Sequence, residues 1–130
     1  MKSMLMFLLL ISTNTLQANT VDSMLESYQA SGAGPFSVEH GRAAWERTIV
    51  NEKTGVSRSC SDCHGDDLGK PGRHIKTGKR IEPMAPSVNS KRLSDPKKIG
   101  KWFKRNCKWT WGRVCTPQEK GDLLLFLQQH

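Results

Sequence analysis

Cys60-Ser61-Asp62-Cys63-His64 is the densest piece of chemistry in this sequence. Two thiols three residues apart, followed at once by an imidazole, match C-x-x-C-H, the attachment motif for c-type haem. The spacing has a chemical reason. Two thiols add across the two vinyl groups of the porphyrin, and the adjacent histidine is carried under the iron as proximal ligand. The other ring nitrogen of His64 is then expected to donate to a carbonyl and fix the ring. Two further readings share these residues. C-x-x-C is also half a zinc site, but Cys107 and Cys115 stand eight apart and give no second C-x-x-C. It is also a thioredoxin-like redox pair, but no βαβ pattern surrounds it.

A haem iron has a sixth position, and several residue types could fill it. Met84, in Ile81-Glu82-Pro83-Met84-Ala85-Pro86, suits a plain His/Met electron carrier, or it is an apolar residue lining the haem. His40, His74 and His130 are strong-field candidates that also read as surface histidines. Asn106 stands out by periodicity. Ile99, Trp102, Phe103 and Asn106 follow at i, i+3, i+4 and i+7, so the amide falls on an apolar stripe. A buried amide without a partner is costly. Its partner is either the backbone at a helix end or the iron.

The elements that must hold these groups are helical. Asp22 to Ala30 reads as a helix with Asp22 as N-cap and Met24, Leu25 and Tyr28 on one face. Ser37 can cap a second helix to about Val50, with Gly41 and Trp45 one turn apart so that another helix can cross closely. Asp95 with Pro96 opens a third. Thr116 and Glu119 form a capping box around Pro117 for a fourth, whose apolar face holds Leu123, Leu124, Phe126 and Leu127. Residues 51–94 carry Gly, Pro and polar side chains with almost no helical period. A loop of that length implies that something other than protein organises it. The expected fold is all-α: a small class I cytochrome c-like fold of about four helices with long loops around one covalent haem.

Composition agrees. The 130 residues suffice for one domain plus a leader, and with 36% apolar residues the core is modest enough to need a cofactor or a staple. Lys2, the apolar run Met4 to Ile11 and Leu16-Gln17-Ala18 read as a secretory signal over 1–18, leaving 19–130 as a mono-haem domain. The apolar run falls well short of the roughly 20 residues that span a bilayer, so no stable membrane insertion is expected after cleavage. Export is expected to place the domain in an oxidising space, which removes most of the case for nucleic-acid binding. There Cys107 and Cys115 read most simply as a disulfide, contributing about 2.5 kcal/mol for a loop of about nine residues. Two free thiols or a redox-active pair are the alternatives.

Several blocks together carry a family resemblance. Gly41-Arg42-Ala43, Cys60-x-x-Cys63-His64-Gly65, Thr77-Gly78-Lys79, Pro83-Met84-Ala85-Pro86-Ser87, Lys101 to Cys107 and Cys115 to Asp122 resemble the sphaeroides haem protein family. These are small periplasmic c-type cytochromes, also described under a domain of unknown function. The Arg-Asn-Cys and Cys-Thr-Pro blocks are the specific part. In that family the sixth ligand is an asparagine that leaves on reduction and opens the iron to O2, NO or CO. The resemblance implies that Asn106 is this ligand, in the ferric state, and that Cys107 and Cys115 form the neighbouring disulfide. It also implies an electron donor, a di-haem cytochrome c or a membrane cytochrome b.

The chain carries 20 Lys plus Arg against 12 Asp plus Glu, and the two signs segregate. Lys70 to Arg113 holds fourteen bases and two acids, Glu82 and Asp95. Such a face steers an acidic redox partner. Three functions compete: a haem protein that takes up electrons and binds a diatomic molecule, a plain His64/Met84 carrier, and an enzyme reducing oxygen, NO or peroxide. No acid–base constellation accompanies the last, since His74 is the sole nearby histidine by sequence.

Overall fold

Asn19, not Asp22, opens the first helix of the computed structural model, which describes residues 19–130; the leader expected over 1–18 lies outside the described residues. The Asn19 side chain accepts from the Asp22 amide, so Asp22 falls in the first turn of α1 (Thr20–Ala30), where its charge suits the helix dipole. Ser37 caps α2 (Val38–Glu46) by accepting from the His40 amide. This helix stops at Glu46, four residues before the expected end at Val50. Thr48, Ile49 and Val50 are β-branched, and β1 (Ile49–Val50) pairs antiparallel with β2 (Ser57–Arg58) instead. The turn between them is built on Asn51, whose carbonyl accepts from Thr54 and Gly55. Gly55 supplies the positive φ that closes it.

The long segment that reads as loop contains one further helix, so there are five helices among the described residues and not about four. α3 (Ser61–His64) is a single turn carrying the C-x-x-C-H residues. A second two-residue ladder, β3 (Gly72–Arg73) with β4 (Arg80–Ile81), follows it. α4 (Pro96–Trp111) starts as the sequence predicts, with the Asp95 carboxylate accepting from Lys97 and Lys98, and ends at Gly112 in the left-handed conformation. α5 (Pro117–Gln128) has both halves of its capping box, between Thr116 and Glu119.

Packing centres on α5, which crosses α2 at Gly41. A Cβ there would overlap the Asp122 carbonyl and the Phe126 Cβ, so glycine is what permits the close approach. Trp45, one turn on, is buried with Leu123, Phe126, Leu127 and Trp111 in the main core. A smaller cluster of Val21, Ile99 and Leu124 seats α1 and the start of α4 on the other side of α5. The result is a helical frame whose single-turn α3 hangs from the end of α2. The fold is all-α with two short two-stranded ladders, in line with the helical class expected from the sequence.

Candidate functional site

A reciprocal hydrogen-bonded pair forms the attachment turn. The Ser59 amide donates to Asp62 Oδ2 at 2.8 Å and the Asp62 amide donates to Ser59 Oγ at 3.2 Å. This is capping-box logic, and it gives α3 a start that no sequence period advertises. The Cys60 amide donates to the Trp45 carbonyl at 3.2 Å, tying the turn to α2. On its far side Gly72 runs against the Cys63 carbonyl and the His64 Cα, where a side chain would collide. The turn is therefore clamped from both sides before any cofactor is considered.

Within it, Cys60 is half-buried, Cys63 is buried, and both sulfurs are free. Burial pushes the Cys60 thiol up to about 12, so it stays protonated. Burial, with Arg92 adding its charge, lowers His64 to about 4. The ring is therefore neutral at ordinary pH, the form that ligates a metal. The Trp45 ring lies 5.2 Å from it, and Trp45 Nε1 donates to the Gly65 carbonyl at 3.3 Å. His64 Nδ1 is buried with no hydrogen-bond partner, so the orienting carbonyl expected from the sequence is not found. A neutral imidazole in a buried setting, beside two free thiols, is the donor set that haem c requires. Among the described residues no three His, Cys, Asp or Glu side chains converge as a metal cage, so the zinc reading finds no second half.

Met84 is half-buried in a strap fixed by its own amide and that of Ala85, both donating to the Leu68 carbonyl at 3.0 and 2.9 Å. Arg92 grips the same strap through the carbonyls of Pro83 and Glu82. Met84 packs on the main core, as an apolar residue would. His40 is exposed on α2, and His130 stands edge-on to Phe126 at 4.9 Å. Asn106 is exposed, beside the buried arc of α4. The buried arc of α4 runs through Ile99, Cys107, Thr110 and Trp111. Asn106 lies just past its edge, on a neighbouring strip with exposed Trp102 and half-buried Trp109. Cys107 and Cys115 are joined as a disulfide, Cα to Cα 5.7 Å, immediately after Asn106.

Sequence reasoning missed how Trp109 is held. Arg58 stacks on its ring at 3.7 Å and donates to its carbonyl at 3.5 Å, while His74 packs 5.0 Å away. His74 Nδ1 accepts from Lys76 and Thr77, and the next residue, Ile75, donates its amide to Cys63 Sγ at 3.4 Å. A continuous set of contacts thus runs from the attachment cysteine to the strip of α4 that carries Asn106. Glu119 does more than complete the capping box. It accepts two hydrogen bonds from Arg113, both at 2.8 Å, and pairs with Arg47 at 3.5 Å. It therefore ties the disulfide loop to the ends of α2 and α5. No sequence period signals either cluster, because the partners are far apart in the chain.

This fold and this turn define a small c-type cytochrome, with haem c as its covalent cofactor. Residues 31–127 match the family model described as Domain of unknown function (DUF1924), and the chain belongs to that family, the sphaeroides haem proteins. It is 40% identical over 104 residues to the cytochrome c-type protein SHP of Cereibacter sphaeroides, covering 80% of this chain and 79% of that one. It is 33% identical over 91 residues to cytochrome c″ of Methylophilus methylotrophus, covering 70% of this chain and 62% of that one. The structure of oxidised SHP, described as an oxygen binding cytochrome c, superposes with a TM-score of 0.76 at 36% identity, over 88% of this chain and all of that one. Oxidised cytochrome c″ superposes with a TM-score of 0.74 at 29% identity, over 85% of this chain and 94% of that one. Among the described residues no helix is long and apolar enough to cross a membrane.

Proposed function

We propose that this chain is a periplasmic cytochrome that couples electron uptake to exchange of its distal ligand. Haem c supplies a one-electron couple and an iron open to a sixth ligand. Cys60 and Cys63 carry the thioethers and His64 is the proximal ligand. Asn106 holds the distal side in the oxidised state. Its amide oxygen is a hard, neutral donor, better matched to ferric than to ferrous charge. On reduction the side chain lets go and a diatomic molecule, O2, NO or CO, gains access.

The observation that carries this reading is the set of contacts from Cys63 through the 74–75 loop to Trp109, one turn from Asn106. It links the attachment turn to the strip of α4 that carries Asn106. The disulfide at the next residue anchors the helix there, which limits backbone movement and leaves the side chain to swing. A relative described as oxygen binding supports the gas-binding half. The test is carbon monoxide titration of the dithionite-reduced protein. A Soret shift saturating at one equivalent is expected in wild type and in Met84→Ala. Failure of CO to bind wild type would favour the His64/Met84 carrier.

A further inference from the structure

Arg92 is a half-buried cation that rests on carbonyl oxygens alone. Its Nε donates to the Pro83 carbonyl at 2.9 Å, and a terminal nitrogen donates to the Glu82 carbonyl at 2.7 Å. Among the described residues it makes no ion pair, and the Glu82 carboxylate goes to Arg80 at 3.0 Å instead. Burial lowers the Arg92 pKa, as expected of a charge taken partly out of water. Holding the strap does not need that charge. Asn89, a neutral side chain, donates to the same Pro83 carbonyl at 3.3 Å. A second neutral amide would avoid the desolvation cost. The charge therefore needs another reason, and His64 supplies one. The strap residues Met84 and Ala85 share the main core with Trp45, whose ring lies 5.2 Å from that of His64. After burial, the Arg92 charge is the other influence that keeps this imidazole neutral. Arg92 and Asn89 together also fill the two lone pairs of the Pro83 carbonyl. With Nε2 given to the iron, His64 Nδ1 is left a buried donor with no acceptor among the described residues.

We propose that Arg92 is a positioning residue of the proximal side: it occupies the strap carbonyls and holds a permanent positive charge by His64, so the imidazole stays a weak donor and the ferrous state is favoured. Two effects act in the same direction. A hydrogen bond from the second ring nitrogen to a carbonyl or carboxylate raises the basicity of a ligating imidazole, and His64 lacks one. A fixed cation in a half-buried setting is poorly screened, and it disfavours the extra positive charge of the ferric state. Hydrogen bonding around the axial ligand and burial are two of the levers that set a haem potential. A guanidinium keeps its proton throughout the ordinary pH range, so this bias does not depend on pH. The inference rests on the electron-uptake reading above and deepens it, by naming the side chain that makes the electron easy to accept.

The experiment is a spectroelectrochemical titration of the holoprotein, paired with resonance Raman of the iron–histidine stretch in the ferrous form. Arg92→Gln should raise the ferric-to-ferrous ratio at a fixed ambient potential about tenfold, a fall of about 59 mV. Its iron–histidine stretch should move to higher frequency. Arg92→Lys keeps the charge and should hold the ratio within about threefold of wild type. Asn89→Ala loosens the same strap without touching the charge, and should leave both readings at their wild-type values. With Arg92→Lys it carries the test if Arg92→Gln does not fold. Lys91→Gln removes the same charge from an exposed neighbour and should change the ratio by less than about twofold. A shift in Lys91→Gln or Asn89→Ala equal to that of Arg92→Gln would overturn the inference, because net charge or a loose strap would explain it. So would a lowered potential in Arg92→Gln with an unmoved iron–histidine stretch, since the charge would then act elsewhere on the cofactor. The ligand-exchange reading fails separately: a ferrous wild type with no iron–histidine line retains a sixth ligand, and the comparison of potentials still stands.

Discussion

Replacing Glu119 by Gln should destabilise the protein at neutral pH and have little effect in acid. The carboxylate accepts two 2.8 Å hydrogen bonds from Arg113 and one at 3.0 Å from the Thr116 amide, with Arg47 at 3.5 Å. These partners, Arg113 first, hold its pKa down to about 2 from 4.5. Taken at face value the depression is worth about 3 kcal/mol. Both arginines are 44% exposed, so solvent screening reduces the expected loss to ~1–2 kcal/mol. Because the folded state lowers this pKa, the stabilisation is complete above pH about 4.5 and is lost as pH falls through about 2. Glutamine keeps an oxygen for the Thr116 amide but not the charge. Urea unfolding of the ferric holoprotein, followed by tryptophan fluorescence, measures the gap. It should be full at pH 7, less than half that at pH 3, and smaller in 1 M salt. Equal stabilities at pH 7, or a gap that ignores pH, would refute the reasoning.

Further expectations follow from single contacts. Gly41→Ala drives a methyl into the Asp122 carbonyl and Phe126, and should cost about 1–3 kcal/mol in urea or force α2 off α5. Cys107→Ser with Cys115→Ser opens the disulfide and should cost about 2.5 kcal/mol, read as a lower urea midpoint with haem still attached. Trp45→Phe deletes the hydrogen bond to Gly65 beside His64, and should cost about 1 kcal/mol while leaving covalent haem content unchanged.

What was legible in the sequence was local. Asp95-Pro96, the Thr116–Glu119 box and C-x-x-C-H each carry their own chemistry within a few residues, and each stands where the sequence puts it. Gly41 and Trp45 correctly announced a close helix crossing. What failed depended on competition. Asp22 lost the N-cap to Asn19, which can cap a longer helix. The β-branched run at 48–50 preferred a ladder to a third turn of helix. At Asn106, helical periodicity resolves an azimuth only to about one residue's arc. Cys107 and Thr110 extend the buried face away from it, so the amide falls on the margin. The Arg58–Trp109–His74 stack joins residues up to 51 positions apart, and no local pattern encodes it.

The ferric absorption spectrum of Asn106→Ala against wild type is the most direct test of the central claim. Ferric wild type should be wholly or partly high-spin with no methionine-to-iron band. The variant should show an altered ferric spectrum with haem still covalently bound. A variant spectrum identical to wild type would take Asn106 off the iron and leave the chain a cytochrome with some other distal ligand.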